Sequence, residues 1–267
     1  HLNVTHDAEG DTAMTERFCQ EVLGDRKPAF AVLWQCEPDH SQHSHVLGSP
    51  EHLAAIAAAD ANAGTVAEAV DKVNATGEDI LLLIGSDHGH ETVGDIVDLD
   101  AKLVAAGFKA HTDSSDVVVA SQGFSAFVYL ADNQRHKIAD IAVYLESLDG
   151  VGDVYAGADL ESIGQRSDGA LAIAVDAAKS DTETAYGIPG ISAAFANRFS
   201  MTLEAGKGEH GGLGKYEQNP FLIAIGGGFA AGSQTDQETS AVDIAPTVLR
   251  HLDRPGDGMD GAALSRQ

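Results

Sequence analysis

Two short, unbroken apolar runs stand out along the chain. Residues 29–34 and 80–85 carry no polar alternation, which is the pattern of strands buried on both faces. Each run stops at a group of metal-ligand side chains: Glu37-Pro-Asp39 with His40, His43 and His45 after the first, and Ser86-Asp-His-Gly-His90 after the second. Between them, residues 51–73 are rich in alanine with apolar residues at helical spacing, and Thr76-Gly77 ends the run. Strand, helix and strand in that order predict a parallel sheet with a crossover helix, which sets both ligand groups at one edge of the sheet. Upstream, residues 11–23 have the composition of a helix closed by Gly24 and Pro28.

The pattern changes between residues 111 and 200. Short alternating runs at 117–120, 126–130 and 171–175 flank a predicted helix over 134–148, with Gly-rich turns between them. The expected fold class is therefore α/β, a largely parallel central sheet flanked by helices with an inserted smaller α+β subdomain. Residues 1–110 and 201–267 would form the core and 111–200 the insert. Residues 220–226 return as a strand, and 241–252 as a final helix in which Pro246 is tolerable only near the first turn.

Charge narrows the function. With 41 acidic against 16 basic residues in 267, the net charge is -25, which excludes tight binding to a nucleic-acid duplex. A charge of this size also suits a chain kept soluble in a salty medium. The two cysteines, Cys19 and Cys36, are too few for a disulfide framework and read as buried thiols. No apolar run is long enough to span a bilayer, and the chain opens on His1 without the succession expected of a signal peptide.

The chemistry gathers in three places. Asp39 and His43, four apart after a strand, can meet on one face of a helical turn and share a cation. Asp87 and His88 can serve a second, and His210, in Gly208-Glu-His-Gly-Gly212, adds an imidazole on a loop free to approach a metal closely. Imidazole and carboxylate without thiolate suit Zn²⁺, with Mn²⁺ or Fe as substitutes. Taken singly, Asp-His-Gly is more often a turn and His210 more often a solvated loop residue. His40, His45 and His90 read as residues behind the ligands or on the surface. Gly226-Gly-Gly228 lacks the spacing of a nucleotide cradle.

Taken together the motifs resemble the alkaline phosphatase superfamily, and most of all its nucleotide pyrophosphatase/phosphodiesterase branch. Glu37-Pro-Asp39 with His43, Ser86-Asp-His-Gly89, Gly208-Glu-His210-Gly211, and Asp243-Ile-Ala-Pro-Thr247 with Met259-Asp-Gly261 occur in the order of that family, over residues 28–264. The resemblance implies an alkaline phosphatase-like sheet and two zinc ions, one on Asp39, His43 and His210 and the other on Asp87 and His88. It further implies hydrolysis of a small phosphate ester or diester in a periplasmic or extracellular setting. The family also carries an upstream Asp-Gly and a Thr or Ser nucleophile. Neither is recognisable in residues 1–30, where Thr5, Thr12 and Thr15 lack the setting, so the sequence resembles the C-terminal two-thirds of such a protein. A related sulfatase or phosphomutase, or a non-catalytic metal-binding remnant, stays open. Cys36-Glu-Pro-Asp39 lacks the Arg of a sulfatase frame, and no mutase-type insert separates Asp39 from Asp87.

Overall fold

The computed structural model describes residues 4–196 and 203–266. Its elements in chain order are α1 (Ala8–Arg17), α2 (Asp39–Ser44), α3 (Pro50–Asn74), β1 (Leu82–Gly85), β2 (Glu91–Val97) and α4 (Leu99–Ala105). There follow β3 (Val117–Ser121), β4 (Ser125–Leu130), α5 (Ile138–Glu146), β5 (Val151–Ala156), β6 (Leu171–Ala177), β7 (Lys179–Glu183) and β8 (Pro189–Phe195). The last are β9 (Gly208–Glu209), β10 (Leu222–Ile225) and α6 (Ile244–His251). The chain is thus of mixed α/β class. None of the described helices is long and apolar enough to cross a membrane.

The chain divides into two compact units. The first comprises His1–His40, Ala54–Asp87 and Pro220–Gln267, the second Ser41–Leu53 and His88–Asn219. This division does not run where the insert was expected to begin, at residue 111, because β2 pairs in parallel with β8 and so joins residues from 88 onward to those that follow. The boundary expected at residue 200 lies outside the described residues.

The second unit contains two four-stranded sheets. One has the order β3-β4-β6-β5, with every neighbouring pair antiparallel. All of β6 is buried, and β4 alternates between half-buried and buried positions, so Ala126, Val128 and Leu130 face one way with Ile141 and Leu145 of α5 in the same core cluster. The other sheet has the order β7-β8-β2-β9, in which β2 runs parallel to β8 and antiparallel to β9. Val93, Val97, Ala193, Ala194 and Phe195 carry its apolar side into that same cluster. Burial on this scale, at about 25 cal/mol per Å² of apolar surface, is what holds the unit together.

The first unit departs from expectation. Residues 29–34 form no strand; Phe30, Val32 and Trp34 are 61, 64 and 67% exposed. The run at 80–85 does yield β1, but only half-buried and antiparallel to β10, whose Leu222 and Ile223 are exposed. A continuous apolar run becomes a doubly buried strand only when neighbours and both covering layers are in place. Among the described residues β10 is the partner β1 has. The expected helix at 11–23 is instead α1 passing into a π-helical segment, Phe18–Arg26. α3 covers the helix expected over 51–73 and starts one residue earlier, with the Ser49 hydroxyl accepting from the His52 N–H at 3.3 Å and Pro50 in the first turn.

Candidate metal centre

In the second unit three segments bring imidazoles together. His43 lies on α2, His88 and His90 on the turn entering β2, and His210 directly after β9. The His88 and His210 rings stack with centroids 3.7 Å apart, while His90 stands 5.2 Å from His43, 5.2 Å from His88 and 5.0 Å from His210. His43 and His210 are 5.2 Å apart, and the Glu209 carboxylate comes within 3.6 Å of His43 Nδ1. One ligand atom from each of His43, Glu209 and His210 lies within 4.8 Å of the others, and the same holds for His88, His90 and His210. Unprotonated imidazoles with a carboxylate make a donor set that fits a borderline divalent cation such as Zn²⁺.

Backbone geometry explains why the rings converge. His88 Nδ1 is 3.1 Å from the Gly89 carbonyl, which can only accept, so Nδ1 is the donor in that contact and Nε2 is the ring nitrogen left to meet a cation. Gly89 has no substitute: a Cβ there would stand 2.2 Å from the Tyr216 carbonyl oxygen. Gly123, in the β3–β4 turn at φ +73°, lets the hairpin close over His210, whose carbonyl accepts from Phe124 N–H at 3.1 Å. A Cβ on Gly123 would meet that carbonyl at 2.2 Å. The loop between α2 and α3 is braced by buried His52, whose Nδ1 accepts from Gly48 N–H at 2.7 Å while Nε2 lies 3.0 Å from the Gln42 amide. Burial holds the His52 pKa below its ordinary value.

Asp39 and Asp87 fall in the first unit. Asp39 opens α2, four residues ahead of His43, with a half-buried side chain; Asp87 follows β1 with an exposed one. The segment leading to Asp39 is tied to α1 by Asp11, a buried carboxylate accepting from the Cys36 N–H at 3.1 Å and the Glu37 N–H at 2.8 Å. Burial, with Asp11 beside it, pushes the Cys36 thiol up to about 12, so it stays protonated, but Cys36 and Cys19 are half-buried rather than the buried thiols the sequence suggested. Thr12 and Thr15 spend their hydroxyls on the carbonyls of Ala8 and Asp11 within α1, at 2.9 and 2.8 Å.

Two residues that the sequence does not mark as ligands, His90 and Glu209, stand among these rings. His90 is 9% exposed and sits among the other three rings rather than on the surface. Its signal was the His-Gly-His spacing, which on an extended segment sends both rings to one side. Glu209 directly precedes His210, but its approach to His43, like the contact of Asp11 with Cys36 and Glu37, joins segments distant in sequence.

A model of type I phosphodiesterase / nucleotide pyrophosphatase matches residues 1–211, a span containing Asp39, His43, Asp87, His88 and His210. The chain belongs to this family. A search of curated proteins returned no match. Among solved structures, the chain resembles phosphonoacetate hydrolase from Sinorhizobium meliloti 1021 in complex with phosphonoacetate, with a TM-score of 0.54 and 16% identity over 82% of this chain and 51% of that one. It also resembles murine ectonucleotide pyrophosphatase / phosphodiesterase 5, with a TM-score of 0.62 and 17% identity over 97% of this chain and 62% of that one. The family member described here therefore spans roughly half to three-fifths of those proteins, and at this identity the likeness is one of fold.

Proposed function

We propose that this chain is the metal-holding part of a phosphoester hydrolase that takes small phosphate diesters, with Asp39, His43 and His210 serving one zinc ion and Asp87 and His88 another. The observation that carries the reading is the gathering of His43, His88 and His210, from three separate segments, with Glu209 at their side inside a span matched by the family model. Paired divalent cations, when bound, would supply positive charge to the entering and leaving oxygens of a transferred phosphoryl group. The chain's own residues hold and orient. The Gly89 carbonyl engages His88 Nδ1 and leaves Nε2 to face a cation, and the Gly208–Gly212 segment carries His210 against that ring. Donors fixed in advance cost no reorganisation when charge develops on the phosphoryl group.

The nucleophile would be a Thr or Ser oxygen from a longer form of the protein, since Thr12 and Thr15 are engaged within α1. A sulfatase reading would ask Cys36 to react, which its raised pKa opposes. The test is turnover of bis(p-nitrophenyl) phosphate with zinc. A full-length form should be active, with the diester preferred over the monoester, and Asp87→Asn should slow it by orders of magnitude while the fold persists. Parental rates in that variant would place the reaction elsewhere.

A further inference from the structure

Directly after His210 the chain turns through Gly211-Gly-Leu-Gly214, and the N–H groups of residues 212, 213 and 214 all point at buried carboxylates. Glu217 Oε2 accepts from Gly212 at 2.8 Å, Glu217 Oε1 from Gly214 at 2.9 Å, and Asp176 Oδ1 from Leu213 at 2.9 Å. Successive N–H groups of this kind make a concavity for an anion, and here the protein fills it from within. Glu217 is 1% exposed, and its Oε1 also accepts from Lys179 Nζ at 3.1 Å. Lys179 faces Asp176 at 3.5 Å and Glu91 at 3.9 Å as well, so one ammonium serves three carboxylates.

The main chain of Glu217 reaches the other ligand segment. Its carbonyl accepts from Gly89 N–H at 2.7 Å, immediately beyond His88. One residue therefore grips the loop that follows His210 through its side chain and the turn that follows His88 through its backbone, and these are the two rings stacked at 3.7 Å. We propose that Glu217 is a positioning residue for the divalent-cation site, setting the distance and tilt between His88 and His210 without touching the ion. This rests on the metal-site reading above.

Glutamine at this position distinguishes positioning from bulk. It keeps the size and removes a charge that Lys179 can spare, since Asp176 and Glu91 remain beside it. But it has one acceptor oxygen where the loop presents N–H groups to both, so its amide NH₂ would oppose Gly212 or Gly214 and release the turn. In a Co²⁺ titration of the whole chain followed by visible absorption, Glu217→Gln should bind about 10- to 100-fold more weakly than the parent, with a shifted spectrum and unchanged far-ultraviolet circular dichroism. Glu217→Asp, which restores both acceptors one methylene short, should recover part of the affinity, and Asp168→Asn on the exposed surface should match the parent. A folded Glu217→Gln protein with parental affinity and spectrum would overturn the proposal. If that variant fails to fold, Glu217→Asp decides: weakened binding by a folded protein supports positioning, and parental binding overturns it. A parent chain that binds no Co²⁺ would instead overturn the metal-site reading itself.

Discussion

The two units use similar apolar runs to opposite ends. In the second, the runs at 117–121, 125–130 and 171–177 pair into a sheet and bury Val117, Ala126, Val128 and Ile173 completely. In the first, an equally apolar run at 29–34 pairs with nothing among the described residues and leaves Phe30, Val32 and Trp34 in solvent. What separates them is cover. β4 and β6 each have strands on both sides and share a core with α5, while β1 has β10. Apolar sequence thus marks where a strand could be buried, and long-range partners decide whether it is.

That contrast can be broken by mutation. Phe195→Ala, which empties a fully buried site in the second unit's core, should cost about 3–5 kcal/mol, measured by urea denaturation. Trp34→Ala removes as large a ring from the first unit and should change stability by no more than about 0.5 kcal/mol. Equal losses would mean that residues 29–34 are covered in solution and that the contrast is unreal. Between these lies Gly123→Ala. A side chain at φ +73° with its Cβ 2.2 Å from the His210 carbonyl must displace that residue, so a loss of about 1–3 kcal/mol should come with weakened metal binding.

The smallest expected effect is acid sensitivity. Burial lowers the folded-state pKa of His52 below its unfolded value of 6.5, so the unfolded chain takes up the proton first. The stability this neutral imidazole contributes is complete above pH 6.5 and is lost as the pH falls through the window down to the depressed value. His52→Gln should flatten that part of the stability profile, and an unaltered profile would place the titration elsewhere.

Legibility followed the same division between local and distant causes. α3 was readable because alanine content, apolar residues at helical spacing and Thr76-Gly77 at its end are all local signals. The hairpin strands of the second unit were readable from alternation. β2 and β8 were not: Glu-Thr-Val-Gly-Asp-Ile-Val buries both Glu91 and Thr92, with the Glu91 carboxylate accepting from the buried Ser192 hydroxyl, a polar pairing that no periodicity announces. At the site, His43, His88 and His210 were named from motif order, and they are brought together. His90 carried a local signal in its spacing from His88, whereas the approach of Glu209 to His43 and the grip of Glu217 on Gly89 come from contacts between segments far apart in the chain.

The central claim is that these imidazoles form a cation site, and metal content tests it most directly. The whole chain, loaded with zinc, dialysed and analysed by mass spectrometry of the metal, should retain zinc. His210→Ala and Asp39→Ala should each lose about one equivalent, and His136→Ala, at an exposed position of the Asp132–Lys137 3₁₀ helix, should lose none. Removing the metal from the parent should also lower its melting temperature, because the ligands come from segments that binding ties together. Zinc content unchanged in both His210→Ala and Asp39→Ala would contradict the account.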